Sequence, residues 1–322
     1  MITEPGEPDV LAVADVPDPV PGPRELLVEV AAAGVNRADL LQRAGRYPAP
    51  AGAPPWPGLE VSGTVVGRGD GLGPDDLQVG DRVAALLAGG GYAERVVVPA
   101  ELALRIPEGV STVDAAGLPE ALATVWSNLR AARLSPGENL LVRGGSGGVG
   151  SVAVQLARAL STRVIATAGG PGRTARVQGL GADVALDHRE PGLVERVLDA
   201  TDGHGVDVVL DVLGAGGLAD NLAMLADDGR LVVIGLQQGR RAELDLSALM
   251  AKRASVLGTL LRSRPHHQKV AIMDGVRRHV WPFVADGSVV PVVHARLGFD
   301  QAADAHRMLE SGEAFGKVLL LP

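Results

Sequence analysis

Six residues in the middle of the chain have the types and spacing of a phosphate-binding loop. Gly145-Ser146-Gly147-Gly148-Val149-Gly150 matches G-x-G-x-x-G, directly after the apolar run Asn139–Val142 and at the start of a helical stripe of apolar residues. In such a loop the first glycine permits a tight turn, the second lets the backbone approach a pyrophosphate, and the third allows close helix–strand packing. The helix N-terminus then offers free N–H groups to the phosphates. We therefore predict a dinucleotide site here, with a ligand-free glycine turn as the alternative.

The residues after the next two predicted strands indicate which dinucleotide is preferred. The run Arg163–Ala168 is not followed by the Asp or Glu that accepts hydrogen bonds from the ribose hydroxyls of NAD, and Arg173 lies shortly after it. A carboxylate there would repel a 2′-phosphate, whereas a guanidinium binds one through bidentate, charge-assisted hydrogen bonds. We therefore predict that the dinucleotide is NADPH. For Arg173 and His188, the alternative is that each is a solvated surface residue. The predicted contacts are Gly169, Gly170, Arg173 and His188, with Arg189 alongside.

The sequence divides into two regions with different patterns of predicted secondary structure, and the second region carries these residues. Residues 1–118 have short apolar runs between Pro and Gly turns, which predicts an irregular, largely antiparallel β region. Residues 119–261 alternate strands and helices, which predicts a doubly wound parallel sheet. The predicted strands are 26–32, 63–66, 82–87, 92–98, 139–142, 163–168, 183–186, 206–210, 230–234 and 255–260. Later segments are a helix near 268–285, a strand 289–293, a helix near 301–309 and a strand 317–321 that returns to the first domain. The expectation is an α/β protein of two domains, 1–118 with 262–322, and 119–261.

The composition excludes several classes of protein. The chain has 322 residues, 46% of them hydrophobic, which is enough to form buried cores without a disulfide or metal. It has no cysteine, which excludes disulfides, thiolate nucleophiles, iron–sulfur clusters and cysteine-bound zinc. A net charge of −8 argues against a nucleic-acid partner. Apolar runs stay below the roughly 18–20 residues of a membrane span, and no signal-peptide pattern is present, so we expect a soluble cytoplasmic protein.

Several separated motifs together resemble one known family. They are residues 34–40, residues 57–63, Gly80-Asp81-Arg82-Val83 and the glycine-rich loop. In this order they resemble the medium-chain dehydrogenase/reductase superfamily, and within it the zinc-free, zeta-crystallin-like quinone oxidoreductases. Residues 260–264, Gly316-Lys317-Val318 and Gln42-Arg43 with Tyr47 resemble its tumour-suppressor-inducible branch. The resemblance implies a GroES-like, mostly β catalytic domain and a Rossmann cofactor domain.

The chain departs from the zinc alcohol dehydrogenases of that superfamily where they hold their metal. Those enzymes have a Cys in the place of Asn36 or Arg37, and a His where this chain has Leu59. Neither Asn nor Leu supplies the thiolate or imidazole that zinc requires, and none of the seven histidines has metal-ligand spacing. We therefore predict no metal. Hydride addition to a quinone or an α,β-unsaturated carbonyl fits, because such an acceptor needs only modest hydrogen-bond support.

The resemblance implies further site residues. Asn36 is expected beside the nicotinamide, where its amide can donate to a substrate carbonyl or to the ribose, with a turn-forming role as the alternative. Tyr47 can stack on a quinone or donate from its hydroxyl, and Thr124 corresponds to a residue near the nicotinamide or packs its helix. Glu60 is expected to orient other groups, and no proton donor is evident. Further cofactor contacts are expected at Gly214, Gly235, Leu236, Leu260, Leu261, Arg262 and Lys317.

Three functions are consistent with these residues. The first is an NADPH:quinone oxidoreductase that transfers hydride, or single electrons, to a quinone in the cleft between the domains. The second is an NADPH-dependent enoyl or 2-alkenal reductase, and the third is an NADPH-binding sensor with little catalysis. The resemblance also implies a homodimer, joined through the strand at 255–260, because an exposed apolar edge invites pairing.

Overall fold

The computed structural model describes all 322 residues and divides the chain into two units. The first comprises Met1–Ala123, Leu261–Gly287 and Pro291–Pro322, and the second comprises Thr124–Leu260 with Ser288–Val290. The first boundary lies at Thr124 rather than at the predicted Pro119. The backbone N–H of Glu120 donates to Glu60 Oε2 at 2.9 Å, and this hydrogen bond attaches the start of the helix Pro119–Ala131 to the first unit.

Thirteen strands and eleven α-helices, numbered in chain order, form these units. The strands are β1 Glu25–Val35, β2 Glu60–Arg68, β3 Arg82–Leu86, β4 Arg95–Pro99, β5 Ala103–Arg105, β6 Asn139–Val142, β7 Arg163–Ala168, β8 Val184–Asp187, β9 Val206–Asp211, β10 Leu225–Val233, β11 Ser255–Gly258, β12 Val293–Gly298 and β13 Lys317–Leu321. The helices are α1 Arg37–Arg43, α2 Thr112–Ala115, α3 Pro119–Ala131, α4 Gly148–Ala159, α5 Pro171–Gly179, α6 Leu193–Asp199, α7 Leu218–Met224, α8 Leu246–Ala251, α9 His266–His279, α10 Trp281–Ala285 and α11 Ala302–Glu310. None of the helices has the length and apolar character needed to cross a membrane.

The first unit is built on a seven-stranded sheet. Its strand order is β12-β13-β1-β2-β3-β5, and β4 pairs with the first half of β1. Only the pairing of β12 with β13 is parallel. Along β1, Leu26, Val28 and Val30 are buried whereas Glu29 is exposed, the period of two expected for a strand with one face on the core. The predicted antiparallel β region is confirmed.

The second unit is a six-stranded parallel sheet. Its order, β11-β10-β9-β6-β7-β8, is the doubly wound order in which the chain starts at the centre and fills one side before the other. Leu141, Val209 and Leu231 are fully buried in it, as strands covered on both faces require. The order reverses between β6 and β9, and open sheets of this kind bind ligands beyond the strand ends at that point. The predicted Rossmann sheet is confirmed.

Two predictions beyond residue 261 are wrong. Of the strand predicted over 289–293, only Val293 lies in a strand, as the first residue of β12. The N–H of Val290 donates to Gln155 Oε1 at 2.9 Å, and its carbonyl accepts from Gln155 Nε2 at 3.1 Å. The Gln155 side chain therefore binds the N–H and C=O groups of Val290 that would otherwise pair with a neighbouring strand. The single helix predicted over 268–285 is two helices, α9 and α10, since Pro282 has no N–H with which to continue α9. The strand predicted over 255–260 ends at Gly258.

Candidate active site

The glycine-rich loop lies where the sequence predicts it, between the end of β6 and the start of α4. A Cβ on Gly150 would lie 2.1 Å from the carbonyl oxygen of Gly144, so this position admits only glycine. Gly147 is exposed, and a Cβ there would meet nothing nearer than the same oxygen, at 3.5 Å. The outer side of the loop is therefore open, and the unpaired N–H groups in the first turn of α4 can bind an anion.

Three basic residues lie beside the loop that follows β7. Arg173 lies in the first turn of α5, while His188 and Arg189 follow β8. A Cβ on Gly169 would lie 3.0 Å from Arg189 Nε, so this guanidinium lies directly against the glycine pair after β7. Burial lowers the pKa of His188, the negative charge of Asp187 opposes this, and the charges of Arg189, Arg143 and Arg173 lower it further. Such a cluster suits a phosphate group rather than a neutral ribose hydroxyl.

Four further cofactor contacts are predicted in the second unit, and three of them follow adjacent strands of the parallel sheet. Gly214 follows β9, and Gly235 and Leu236 follow β10, so all three lie at carboxyl ends of strands. Their loops are joined by backbone bonds, among them Ala215 N–H to the Gly239 carbonyl at 3.0 Å. Leu260 is exposed and lies beyond the end of β11.

Thr124 lies on α3 and is half-buried. Its carbonyl oxygen accepts hydrogen bonds from the Asn128 amide at 2.7 Å and from the Ser127 hydroxyl at 3.1 Å. Both contacts are made by the backbone carbonyl, within the helix. The half-buried side chain is also reachable by a ligand, so the predicted role near the nicotinamide stays a prediction.

Asn36, Glu60 and Lys317 form a buried polar cluster in the first unit. Lys317 Nζ donates to Asn36 Oδ1 at 2.7 Å and to Glu60, and Asn36 Nδ2 donates to Glu60 Oε1 at 2.9 Å. The antiparallel pairing of β1 with β13 and with β2 brings the three together. Lys317 is 3% exposed and Glu60 0%. The polar groups of Asn36 and Lys317 contact each other and Glu60, and the predicted roles of both residues at the substrate and the cofactor stay predictions.

Asp39 connects this cluster to a second layer of buried polar groups. Its carboxylate accepts from the N–H groups of Asn36 at 2.8 Å and Gly58 at 2.9 Å, and from the Tyr92 hydroxyl at 3.3 Å. The Tyr92 hydroxyl also contacts His306 Nε2 at 3.1 Å. Burial raises the pKa of Asp39 to about 6 and lowers the pKa of His306 to about 3, so this histidine is neutral. The layer fixes the backbone around Asn36.

Arg262 holds the segment that carries Tyr47. Its Nε donates to the Ala88 carbonyl at 2.7 Å and its Nη2 to Gln42 Oε1 at 2.7 Å, while its guanidinium carbon lies 5.2 Å from the centre of the Tyr47 ring. This cation–π contact positions Tyr47, and the predicted contact of Arg262 with the cofactor stays a prediction. Burial raises the pKa of Tyr47, which therefore remains a neutral phenol able to donate a hydrogen bond. Leu261 is buried next to Arg262 in the chain.

Glu120 is a candidate functional residue that the sequence prediction missed. It lies in the first turn of α3 and its side chain is partly exposed. Burial of the carboxyl and the negative charges of Glu60 and Asp39 raise its pKa to about 8, against the opposing charges of Lys317 and Arg262. Glu120 is therefore mostly protonated at neutral pH. Acidic residues are common in the first turn of a helix because they interact favourably with the helix dipole. The sequence around Glu120 therefore does not distinguish it from an ordinary helix N-terminal residue.

Comparisons with known proteins agree with this architecture. The family model "Alcohol dehydrogenase GroES-like domain" matches residues 22–108, and "Zinc-binding dehydrogenase" matches residues 148–274. Together with full-length likeness to solved oxidoreductases, these matches show the family. The chain belongs to the medium-chain dehydrogenase/reductase superfamily.

Individual relatives include quinone oxidoreductases, an NAD-dependent alcohol dehydrogenase and a polyketide synthase. The structure is similar to the quinone oxidoreductase of Pseudomonas syringae pv. tomato, with 31% identity, a TM-score of 0.88, and coverage of 100% of this chain and 98% of that one. It is also similar to the quinone oxidoreductase of Thermus thermophilus, solved with its NADPH complex, with 35% identity, a TM-score of 0.82 and coverage of 96% and 95%. In sequence, 99% of the chain is 34% identical to part of a phenolphthiocerol/phthiocerol polyketide synthase of Mycobacterium tuberculosis, and the match spans 14% of that relative.

The zinc that one family name implies does not fit the residues present. No group of three or more His, Cys, Asp or Glu side chains is arranged to hold a metal ion. Leu59 is buried and apolar, and the ammonium of Lys317 already contacts Asn36 and Glu60. A second cation at this cluster would be repelled by the first.

Proposed function

We propose that this protein is a metal-independent NADPH:quinone oxidoreductase of the zeta-crystallin-like group, within its tumour-suppressor-inducible branch. The observation that carries the proposal is the buried Lys317–Glu60 pair with Asn36 and Leu59, in place of metal ligands. Alcohol oxidation without a metal leaves the alkoxide unsupported, whereas a quinone is already electrophilic. The likeness to two quinone oxidoreductases supports the same class of acceptor.

NADPH is the cofactor that the second unit fits best. The open loop around Gly147 would hold the pyrophosphate, and Arg173, His188 and Arg189 would hold the 2′-phosphate. When bound, NADPH supplies the hydride for the reaction. The NADPH complex of the Thermus relative supports this assignment. A cytoplasmic location, where NADPH is available, is part of the same proposal.

Tyr47 is the residue of the first unit best suited to hold the acceptor. It is half-buried, neutral, and fixed by Arg262 from one side. Its ring can stack on a flat quinone, and its hydroxyl can donate to the carbonyl oxygen on which negative charge develops. Thr124, also half-buried, is proposed to lie near the nicotinamide.

An NADPH-dependent enoyl or 2-alkenal reductase is the second candidate. It is favoured by the similarity to a segment of a polyketide synthase, because the reduction of an unsaturated acyl thioester belongs to that kind of chemistry. The chemical step is related, since an enone and a quinone are both conjugated electrophiles that accept hydride.

An acceptor panel tests the proposal. Purified protein is supplied with NADPH and, in turn, a benzoquinone, a 2-alkenal and an enoyl thioester, and NADPH consumption is followed by absorbance. We expect the highest kcat/KM with the quinone. Turnover of the thioester alone would establish the second candidate, and tight NADPH binding without turnover of any acceptor would indicate a sensor.

We also propose that the protein forms a homodimer through β11. This strand is at the edge of the parallel sheet, and Val256 on it is exposed. The preceding helix, α8, exposes Leu246 and Met250 and buries no residue. An unpaired apolar edge beside an apolar helix suits pairing with a second copy of the same strand.

A further inference from the structure

Arg143 is a buried cation at the point where the strand order of the parallel sheet reverses. It follows the last residue of β6, and its N–H donates to the Leu210 carbonyl of β9 at 3.0 Å, which extends the pairing of these two strands by one residue. Gly144, the next residue, lies in the turn that leads into the glycine-rich loop. Arg143 therefore lies at the base of the predicted pyrophosphate site.

The guanidinium of Arg143 has only part of the partners that a buried cation needs. Arg143 is 5% exposed, and its Nη1 donates to Asn221 Oδ1 of α7 at 2.6 Å, whereas its Nε is buried without a hydrogen-bond partner. Asp211 and Asp220 lie within electrostatic range, but neither forms a salt bridge with it. The oxygens of Asp211 accept instead from two backbone N–H groups of the loop after β9, at 3.1 and 2.8 Å. Arginine is rarely buried without an ion pair, so Arg143 lacks a direct negative partner within the protein.

Asn221 adds a second unpaired donor beside this cation. Asn221 is completely buried, and because a guanidinium can only donate, the amide oxygen faces Arg143 and the NH₂ group faces elsewhere. This Nδ2 also has no partner. A Cβ on Gly217 would lie 3.2 Å from it, so the amide lies against the loop between β9 and α7. Unpaired buried donors cost free energy, and two of them beside an unpaired charge indicate a missing acceptor of negative charge.

The charge of Arg143 reaches the edge of the sheet at which a dinucleotide binds. Burial lowers the pKa of His188, the charge of Asp187 opposes this, and the charge of Arg143 is among those that lower it further. His188 follows β8 and is one of the predicted cofactor contacts. Buried charges are screened less than exposed ones, so an anion at this edge is attracted even without a hydrogen bond to the guanidinium.

We propose that Arg143 is the buried countercharge of the NADPH pyrophosphate, an assignment that rests on NADPH being the cofactor of the proposed function. The N–H groups of the loop and of the first turn of α4 offer partial charges to the phosphate oxygens, and Arg143 adds a full positive charge at the base of the loop. Because NADPH and NADH share the pyrophosphate, Arg143 strengthens the binding of both. Arg189, in contrast, is proposed to distinguish them at the 2′-phosphate.

The cation has opposite effects on the protein with and without ligand. A buried charge that lacks an ion pair lowers the stability of the ligand-free protein. Bound pyrophosphate supplies the negative charge that is missing. Removing the cation should therefore weaken the binding of dinucleotides without lowering the melting temperature of the ligand-free protein, a combination that a purely structural arginine would not produce.

The test uses the double variant Arg143→Met/Asn221→Leu, because Arg143→Met alone would leave the Asn221 amide without any partner. Arg143→Lys keeps the charge, and Arg189→Met removes the predicted 2′-phosphate contact. Arg163→Met is the matched control, since Arg163 is an exposed arginine at the opposite end of the same sheet. Dissociation constants are measured by calorimetry for NADPH, for NADH and for 2′-AMP, which has no pyrophosphate. The melting temperature is measured without ligand.

The double variant should bind NADPH and NADH each about 10- to 100-fold more weakly, the scale of a hydrogen bond to a charged group. It should keep the wild-type affinity for 2′-AMP and melt, without ligand, at or above the wild-type temperature. Arg143→Lys should recover most of the dinucleotide affinity. Arg189→Met should weaken NADPH and 2′-AMP and spare NADH, and Arg163→Met should match the wild type.

Other outcomes overturn the assignment in distinguishable ways. Unchanged affinity of the double variant for both dinucleotides would refute the countercharge and leave the NADPH site standing. Weaker binding of all three ligands with a lower melting temperature would show a structural role, and a loss confined to NADPH and 2′-AMP would place Arg143 at the 2′-phosphate. Arg143→Lys that binds no better than the double variant would exclude an effect of charge. Wild-type protein that does not bind NADPH would refute the cofactor and the countercharge together.

Discussion

Replacing Lys317 by Met removes the only positive partner that contacts the buried carboxylate of Glu60. The ammonium contacts Asn36 Oδ1 at 2.7 Å and Glu60, and both charged side chains are 3% exposed or less. Breaking a buried pair from one side costs about 3–5 kcal/mol, because it leaves an uncompensated charge. Glu60 keeps the Asn36 amide and the Glu120 N–H, both at 2.9 Å. We therefore expect the low end, about 3 kcal/mol, or roughly a 100-fold change in the folding equilibrium.

Urea unfolding followed by tryptophan fluorescence measures this loss, since Trp56 and Trp281 report on the first unit. The double variant Glu60→Gln/Lys317→Met should recover most of the stability, because no charge is then left buried. Lys269→Met is the matched control, and its partly exposed side chain should cost less than about 1 kcal/mol. A loss below about 1 kcal/mol for Lys317→Met would refute the claim that a buried ion pair organises the cluster.

Three further predictions concern the second unit. Arg189→Glu should lower kcat/KM for NADPH roughly 10- to 100-fold and spare NADH, because a charge-assisted hydrogen bond contributes about 1.5–3 kcal/mol; equal losses with both cofactors would contradict a 2′-phosphate contact. Gly147→Val should abolish NADPH binding in a calorimetric titration while the melting temperature stays near wild type, since its Cβ makes only an ordinary contact, 3.5 Å from the Gly144 carbonyl oxygen; retained affinity would place the pyrophosphate elsewhere. Val256→Lys should shift sedimentation from dimer to monomer, and a monomeric wild type at micromolar concentration would overturn the interface at β11.

The parallel sheet could be predicted from sequence because its signals are local. β6 and β7 have the predicted bounds, since strands covered on both faces give continuous apolar runs with clear ends. The loop between β6 and α4 has a spacing that turn geometry and phosphate binding both demand. The failure at 289–293 has the opposite cause. Its apolar residues predict a strand, but the side chain of Gln155, far away in sequence, satisfies the backbone of Val290.

The sequence identifies the residues of the polar cluster, Asn36, Glu60 and Lys317, but it does not show that they contact one another. Asn36 and Lys317 were both identified, yet they are 281 positions apart, and nothing local shows that they bond to each other. Glu120 was missed for a related reason. Its raised pKa comes first from burial and then from the charge of Glu60, and both are known only once β2 and α3 are placed.

The central claim is metal-independent hydride transfer from NADPH to a conjugated acceptor. It is tested most directly by removing metals with a chelator, verifying their absence by mass spectrometry, and measuring kcat/KM for NADPH and NADH with one benzoquinone. The structure predicts full turnover by the metal-free protein and a clear preference for NADPH. Activity that is lost on chelation and restored by zinc, or equal efficiency with NADH, would contradict it.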